Sequence, residues 1–455
     1  MEDQLQDYYR RLLGAENARF DVSDKRCLPS TFFFFDKGDY CLSLGDQARF
    51  LAAEIFKSSA LLKHYSKASE STKEDGSSAY LTLNTNQYER AVAELLLRFR
   101  RRVETHLCSD GRSKNWSCAA SGSPGHLGQF ERLLEEKGFL NDAQFFGCAV
   151  VALNFADATA GDAAAASGSN DKQAKKSAAS IGVAFCDPGA LTLTVGEFAD
   201  DMHFSVFESL LAQFNPKECL LSSPLESLPS GKALATVLNA SGVVPMTLKR
   251  KKFRATDIAQ DLKRLLSTEA NTKRAELDLP AAMGAVSATI HYLSLLGDEG
   301  NFGKFSLLRC STDRFVRLDA NAIRSLELFS TAYSGASKGT LYDILNRCKS
   351  AAGKRALSQW IRQPLTDVKQ IERRQELVQL LVTSMEFRAS LADDCLPRVP
   401  DIPLLLRRLS TKRAGLQDCY RIQQLCQLVS KILRLLSATK LSASVELSDA
   451  LDEQI

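Results

Sequence analysis

The sequence predicts a multidomain fold, α/β through its first two parts and all-α at its end. Three observations carry that prediction. The chain has 455 residues, too many for one compact core and enough for two to four domains. Between residues 147 and 266, short apolar runs alternate with amphipathic segments, the pattern of an α/β sheet domain. From residue 281 onward, apolar residues recur at helical spacing almost without a break.

The elements follow in order. In residues 31–44, two aromatic and aliphatic runs flank Asp36-Lys37-Gly38-Asp39, a hairpin signal in which Gly38 supplies the turn's positive φ. Ala48, Leu51, Ala52, Ile55 and Phe56 then mark a helix. A second helix is expected over 87–106, with Val92, Leu95, Leu96, Phe99 and Val103 inside and Arg98, Arg100, Arg101 and Arg102 outside. Residues 109–126 read as a loop, which places a first boundary near residue 122. A short helix bearing Leu127, Phe130, Leu133 and Leu134 follows.

The α/β stretch offers strands at Gly147–Asn154, Ile181–Phe185, Leu191–Val195, Glu218–Leu221 and Val243–Leu248. It offers helices at Phe204–Phe214, Lys232–Asn239 and Ala255–Leu266. Residues 157–180, rich in Ala, Ser, Gly and Lys, read as a disordered insert between two hairpin strands. The second domain is expected to span 123–278 and the third 279–455. The third opens with a helix at Ala281–Leu296 and a hairpin-like pair at Phe305–Leu308 and Phe315–Leu318. Amphipathic helices then follow at 320–329, 338–347, 351–362, 366–383, 385–394 and 402–437. A long apolar helix face needs a partner surface.

Composition excludes more than it assigns. Fifty-eight basic residues against 54 acidic ones permit nucleic acid as a partner without arguing for it. The 12 cysteines are scattered with no C-x-x-C pair and the five histidines are isolated, so no metal site is expected and the thiols read as free, in a reducing compartment. The acidic, polar start is unlike a signal peptide, and no apolar run reaches the roughly 20 residues of a membrane helix. The expectation is an intracellular, soluble protein without a membrane partner. The nearest thing to a nuclear import signal is Lys249-Arg250-Lys251-Lys252, which reads equally as a solvated turn.

No catalytic centre is visible. The nearest string to a phosphate-binding P-loop, Ser230-Gly231-Lys232-Ala233, lacks the Gly-rich cradle and the Mg²⁺-binding hydroxyl. A two-metal nuclease needs converging carboxylates, whereas Asp157, Asp187 and Glu197 fall at strand ends or in loops. The arginines at 98–102 read equally as a phosphate-binding stripe or as a solvated face balanced by Glu89, Glu94 and Glu104. A binding or mechanical role is favoured over chemistry.

One family accounts for the rest. "LDANAIRSLELF" (318–329) and "GTLYDILNRCKSAAGKRALSQWIRQPLTDVKQIERRQELVQLL" (339–381) resemble the core signature of MutS-type DNA mismatch repair proteins. The matching residues are Gly353, Arg355, Leu357, Trp360, Ile361, Pro364, Leu365, Asp367, Ile371 and Arg374. "FDKGDY", "SPGHLGQFERLL", "NPKECLL", "DIAQDLKRLL", "GNFGKF" and "LQDCYRI" are similar to one branch of that family, the shared subunit of the eukaryotic mismatch-recognition heterodimers.

The resemblance implies a mismatch-binding-like domain, an RNase H-like connector lacking catalytic acids, and the first part of a helical core and lever. It implies an ATPase using ATP and Mg²⁺ only in the family's further length, and no cofactor in these residues. The implied partners are duplex DNA with mismatches or loops, a second MutS homologue that reads the mismatch, and MutL-type proteins at the connector; the implied location is the nucleus.

Gly353, Arg355, Trp360 and Pro364 are expected to be structural. Gly353 would let its helix approach a neighbour, Trp360 would be a buried anchor, and Pro364 would end the helix. Reading members of the family carry G-D-F-x-E, whose Phe wedges beside the mispair and whose Glu accepts a hydrogen bond. Here the string is Gly38-Asp39-Tyr40-Cys41-Leu42. Leu42 cannot accept that bond, so the subunit is expected not to read the mismatch. Lys37 and Tyr40 are candidate DNA contacts, and Arg98, Arg100, Arg101 and Arg102 are candidate phosphate contacts. A nuclease, and a regulatory form that only binds a partner, remain the alternatives.

Overall fold

The computed structural model describes residues 2–17, 31–64, 79–108, 116–137, 148–155, 179–228, 230–267, 278–310, 314–330, 338–410 and 414–438. The first unit is built on a six-stranded sheet. Its elements are α1 (Glu2–Asn17), β1 (Thr31–Asp36), β2 (Cys41–Leu44), α2 (Gly45–Phe50), β3 (Leu62–His64), β4 (Ala79–Leu83), α3 (Thr85–Ala93), β5 (Arg102–Cys108) and β6 (Trp116–Gly122). The strand order is β3-β4-β2-β1-β5-β6.

Strand periodicity sorts the four consecutive phenylalanines of β1. Phe32 and Phe34 face the core that contains Val92, Leu95 and Val103. Phe33 and Phe35 face the other way, onto Leu5 and Tyr9 of α1 and Trp116. The expected hairpin is β1–β2, with Phe35 opposite Leu42. The sequence does not announce helix α1, because among its described side chains only Leu5 and Tyr9 are buried, on an otherwise polar segment.

The expected helix over 87–106 is two elements. The helical path ends in a wide turn at Glu94–Arg98, Arg100 adopts φ +50°, and the chain reverses into β5, which runs parallel to β1. Val103 fits a period of two as well as one of 3.6, so apolar spacing alone does not separate this strand from a helix. Residues 116–122, expected in a loop, form β6. Helix α4 (Phe130–Glu136) and Leu127 pack into the first unit's core, so that unit runs on past residue 122.

The second unit holds β7 (Val150–Phe155), β8 (Ala179–Asp187), β9 (Thr192–Asp200), α5 (Ser205–Phe214), β10 (Glu218–Leu221), α6 (Gly231–Ser241), β11 (Val244–Thr247), α7 (Ile258–Leu265), α8 (Pro280–Leu293) and β12 (Ser306–Arg309). Its strands are ordered β11-β10-β7-β8-β9-β12. Strands β7 and β8 pair antiparallel around the expected insert, most of which lies outside the described residues. Helices α5 and α6 cover one face, and α7 and α8 cover the other. Gly182 is required there, because a Cβ would stand 2.1 Å from the backbone of Ala281 at the start of α8. Both α8 and β12 belong to this core, which therefore continues beyond the residue 278 at which the sequence reading closed it. The hairpin expected from 305–308 and 315–318 does not form. Strand β12 pairs parallel with β9, and Phe315 bridges Leu365.

The remainder is helical: α9 (Ala320–Ser325), α10 (Leu341–Leu345), α11 (Ala351–Arg362), α12 (Val368–Thr383), α13 (Met385–Ala389), α14 (Ile402–Ser410) and α15 (Leu416–Ala438). The expected helix 402–437 is thus two helices. The Arg408 guanidinium pairs with Asp418 at 3.2 Å and holds the end of α14 to the start of α15. No helix among the described residues is long and apolar enough to cross a membrane.

Candidate nucleic-acid interface

The hairpin turn is fixed by its own backbone. Lys37 N–H donates to Tyr40 O at 3.0 Å, Gly38 N–H donates to Asp36 Oδ1 at 2.7 Å, and Gly38 takes φ +94°. Tyr40 is 41% exposed at the tip. The Lys37 ammonium lies over the Trp116 ring, 4.8 Å from its centre. Two residues on, Leu42 is only 7% exposed and sits with Leu5 and Tyr9 under α1. The Tyr9 hydroxyl secures that helix by donating to Leu44 O at 3.0 Å.

The structure separates the expected contact residues. Arg102 is opposite Thr31 in the β1–β5 register and Leu107 is opposite Asp36. The arginine run therefore lies at the far end of the sheet from the hairpin tip, roughly 17 Å away at strand rise. It is not one stripe. Arg98 pairs with Glu94 at 3.3 Å, and Arg102 with Glu104 at 2.9 Å. Arg101 also has an interaction partner. Arg100 turns to the second unit and donates to Gly242 O at 2.7 Å, where burial lowers its pKa.

The signature residues of the helical unit have different surroundings. Arg355 makes a two-pronged bond to Asp401, at 2.7 and 2.9 Å. Helix α11 ends two residues before Pro364, whose carbonyl accepts from Val316 N–H at 2.8 Å. Trp360 is not a buried anchor: it is 46% exposed, with the Arg374 guanidinium 4.0 Å above its ring. Gly353 makes room for its own cap, not for a neighbouring helix. Ser350 Oγ accepts from Gly353 N–H and would lie 3.1 Å from an added Cβ.

Asp157 lies outside the described residues, and among the described residues the carboxylates of the second unit do not come together as a metal-binding group. Asp200 caps α5 through Val206 and Phe207 N–H, and Glu197 accepts from Ala281 N–H. Glu218 is buried and accepts from the Tyr292 hydroxyl at 2.9 Å, while burial raises its pKa. Among the described residues, one group of three or more possible metal ligands comes together, and it lies in the first unit: Glu104, His106 and Cys118. In the sequence the cysteines and histidines stand isolated and Glu104 reads as a charge balancing the arginines, because the cysteine is brought to the histidine by strand pairing and not by a local motif.

Comparison with known proteins agrees with this layout. Residues 165–306 match MutS domain II, and residues 321–455 match MutS domain III. The chain is 32% identical over 394 residues to the DNA mismatch repair protein msh-2 of Neurospora crassa, covering 86% of this chain and 39% of that protein. It is 31% identical over 418 residues to the DNA mismatch repair protein spellchecker 1 of Drosophila melanogaster, covering 90% and 42%. With the DNA mismatch repair protein MSH6 of Arabidopsis thaliana it shares 28% identity over 272 residues, covering 50% and 20%. The chain thus spans about two fifths of the length of the first two of these relatives. On the two domain matches and the long, MSH2-like similarity, the chain belongs to the MutS family.

Proposed function

We propose that this chain acts in DNA mismatch repair as the non-reading half of a heterodimer, holding duplex DNA beside a mispair that its partner subunit reads. The observation that carries the proposal is the divergence of Tyr40 and Leu42. The aromatic ring stands exposed at the hairpin tip, while the position that holds a glutamate in reading members is an apolar side chain enclosed under α1. Lys37 and Tyr40 are assigned to the DNA backbone and minor groove. Arg98, Arg101 and Arg102 keep at most a secondary phosphate role, since they lie far from the tip, and Arg100 serves as a brace to the second unit. A mismatch-reading MutS homologue as partner, MutL-type proteins at the second unit, ATP-driven clamp action in the longer protein and a nuclear location belong to the same proposal. The mismatch-repair names of the relatives support it.

The test uses the full-length protein co-purified with its reading partner. Affinity for mismatched and matched duplexes is measured by fluorescence anisotropy at fixed salt. Tyr40→Ala is expected to change the mismatched-to-matched ratio by less than about threefold, roughly 0.6 kcal/mol. A tenfold loss of that ratio, with melting unchanged, would assign reading to this hairpin and overturn the proposal. Lys37→Ala is expected to weaken both duplexes alike and to lower the salt dependence by about one phosphate contact.

A further inference from the structure

His106 lies in the middle of β5 and is 2% exposed, yet its Nε2 has no hydrogen-bond partner among the described residues. A buried ring nitrogen without a partner calls for an explanation, and a missing ion is one of the standard ones. The other ring nitrogen is engaged. The Tyr8 hydroxyl of α1 stands 3.2 Å from Nδ1, and Tyr8, Phe33 and Phe35 wall the ring on their sides. In the tautomer protonated at Nδ1, that N–H donates to Tyr8 Oη and the Nε2 lone pair is turned toward Glu104, the form that a metal ligand uses.

What Nε2 faces is a set of donors. Glu104 precedes His106 by two on the same strand, so strand alternation puts both on one face. Glu104 Oε2 is 3.5 Å from Nε2, while its other oxygen is held by Arg102 at 2.9 Å. Across the strand pair, Cys118 of β6 stands opposite His106. A bulge sets it there, because the pairing passes from Thr105↔Ala120 to His106↔Cys118 and skips Ala119. Bulges recur where a side chain has to be re-aimed. One ligand atom from each of the three residues lies within 4.8 Å of the others.

We propose that Glu104, His106 and Cys118 bind one thiophilic divalent cation of the zinc type. Carboxylate, imidazole and thiolate are the donors zinc takes, and three protein ligands leave the fourth tetrahedral position for water. Charge also balances, since one carboxylate and one thiolate neutralise a 2+ ion while the imidazole stays neutral. On binding, the S–metal bond forms as the Cys118 thiol, whose hydrogen now rests toward Ala120 O at 3.6 Å, releases its proton to solvent. Arg102 and Tyr8 are positioning residues that orient the carboxylate and the ring. The bound ion ties β6, the edge strand, to β5, and through Tyr8 to α1.

The experiment is an anaerobic Co²⁺ titration of the purified full chain, read by thiolate-to-cobalt charge-transfer absorbance and by metal stoichiometry after dialysis. One Co²⁺ per chain is expected, displaced by Zn²⁺. Cys118→Ser, at an exposed position, should keep the wild-type circular dichroism and melting curve, abolish the charge-transfer band and weaken binding by more than tenfold. Tyr8→Phe should keep the band and weaken binding by roughly tenfold. Failure to form a one-to-one complex, or a band of equal intensity in Cys118→Ser, would overturn the site, since the latter would place the bound sulfur on another of the 12 cysteines.

Discussion

Glu218 opens β10 with its carboxylate inside the protein, beside the turn between β6 and α4 of the first unit. It is satisfied on one side only. Tyr292 Oη donates to Oε2, Ser123 Oγ lies 3.0 Å from Tyr292 Oη, and Oε1 has no partner among the described residues. Burial raises the pKa from the ordinary 4.5. The folded state therefore retains a proton that the unfolded chain has already lost, and stability falls as pH rises through the window between the two values. Glu218→Gln should remove that slope and add on the order of 1 kcal/mol at neutral pH, measured as urea midpoints across the acid-to-neutral range. A loss of stability at pH 7 would mean that the charged form is held by contacts beyond these. Residues of this kind are hard to see in a sequence. "NPKECLL" was legible as a strand, but nothing local says that its glutamate points inward. His106 was illegible for the same reason, since its environment is assembled from α1, β1 and β6. Tyr40 and Leu42 stood out because the resemblance sets Gly38-Asp39-Tyr40-Cys41-Leu42 against the family's G-D-F-x-E string, beside a turn that Gly38 marks.

At the scale of elements, caps decide where helices begin. Ser350 Oγ accepts from Gly353 N–H, and α11 starts at Ala351 as its periodicity predicts. Ser350→Ala should lower the stability of the helical unit by about 1 kcal/mol, seen as faster amide exchange over 351–362 with the two sheet units unchanged. Uniform destabilisation of all three units would show that α11 is not separately held. The misread elements share a cause. Apolar spacing continued across a break at 94–106 and again at 402–437, where Arg100 in a left-handed conformation and the Arg408–Asp418 pair reverse or redirect the chain. Periodicity reports which face is apolar and is silent about a reversal that polar residues make. Strand β12 reads as a short apolar run, but its partner is not legible, because parallel pairing with β9 is reached through a long crossover that no local signal announces.

Across the whole molecule, two guanidinia join the units. Arg100 of the first donates to Gly242 O at the end of α6, and Arg362 of the third donates to Ala212 O in the last turn of α5, at 3.3 Å. Both meet the carbonyl end of a helix dipole, the end that favours cations. Arg362 also lies 4.0 Å over the Phe329 ring. The two arginines and Lys217 line one cleft of about 1460 Å³. Burial, with Arg100 nearby, pushes Lys217 down to about 8 and Arg362 to about 10. Arg362→Ala should therefore loosen the second unit from the third, at a local cost of about 1–3 kcal/mol. Limited proteolysis should cut earlier between residues 310 and 340, while each unit's own exchange protection persists. Unchanged proteolysis would show that other contacts carry the junction. None of these bonds was legible in sequence, since each spans more than 100 residues.

The enclosure of Leu42 also limits what a single substitution can do at this position. A glutamate introduced there would meet Leu5, Tyr9 and Trp116, not a base pair, and an unpaired carboxylate in such surroundings costs several kcal/mol. Accommodating that carboxylate would require α1 to move off the sheet, and with it Tyr8 and the Tyr9–Leu44 bond. Leu42 and the helix that covers it are thus bound together, so an acidic side chain here has to arrive with changes in α1.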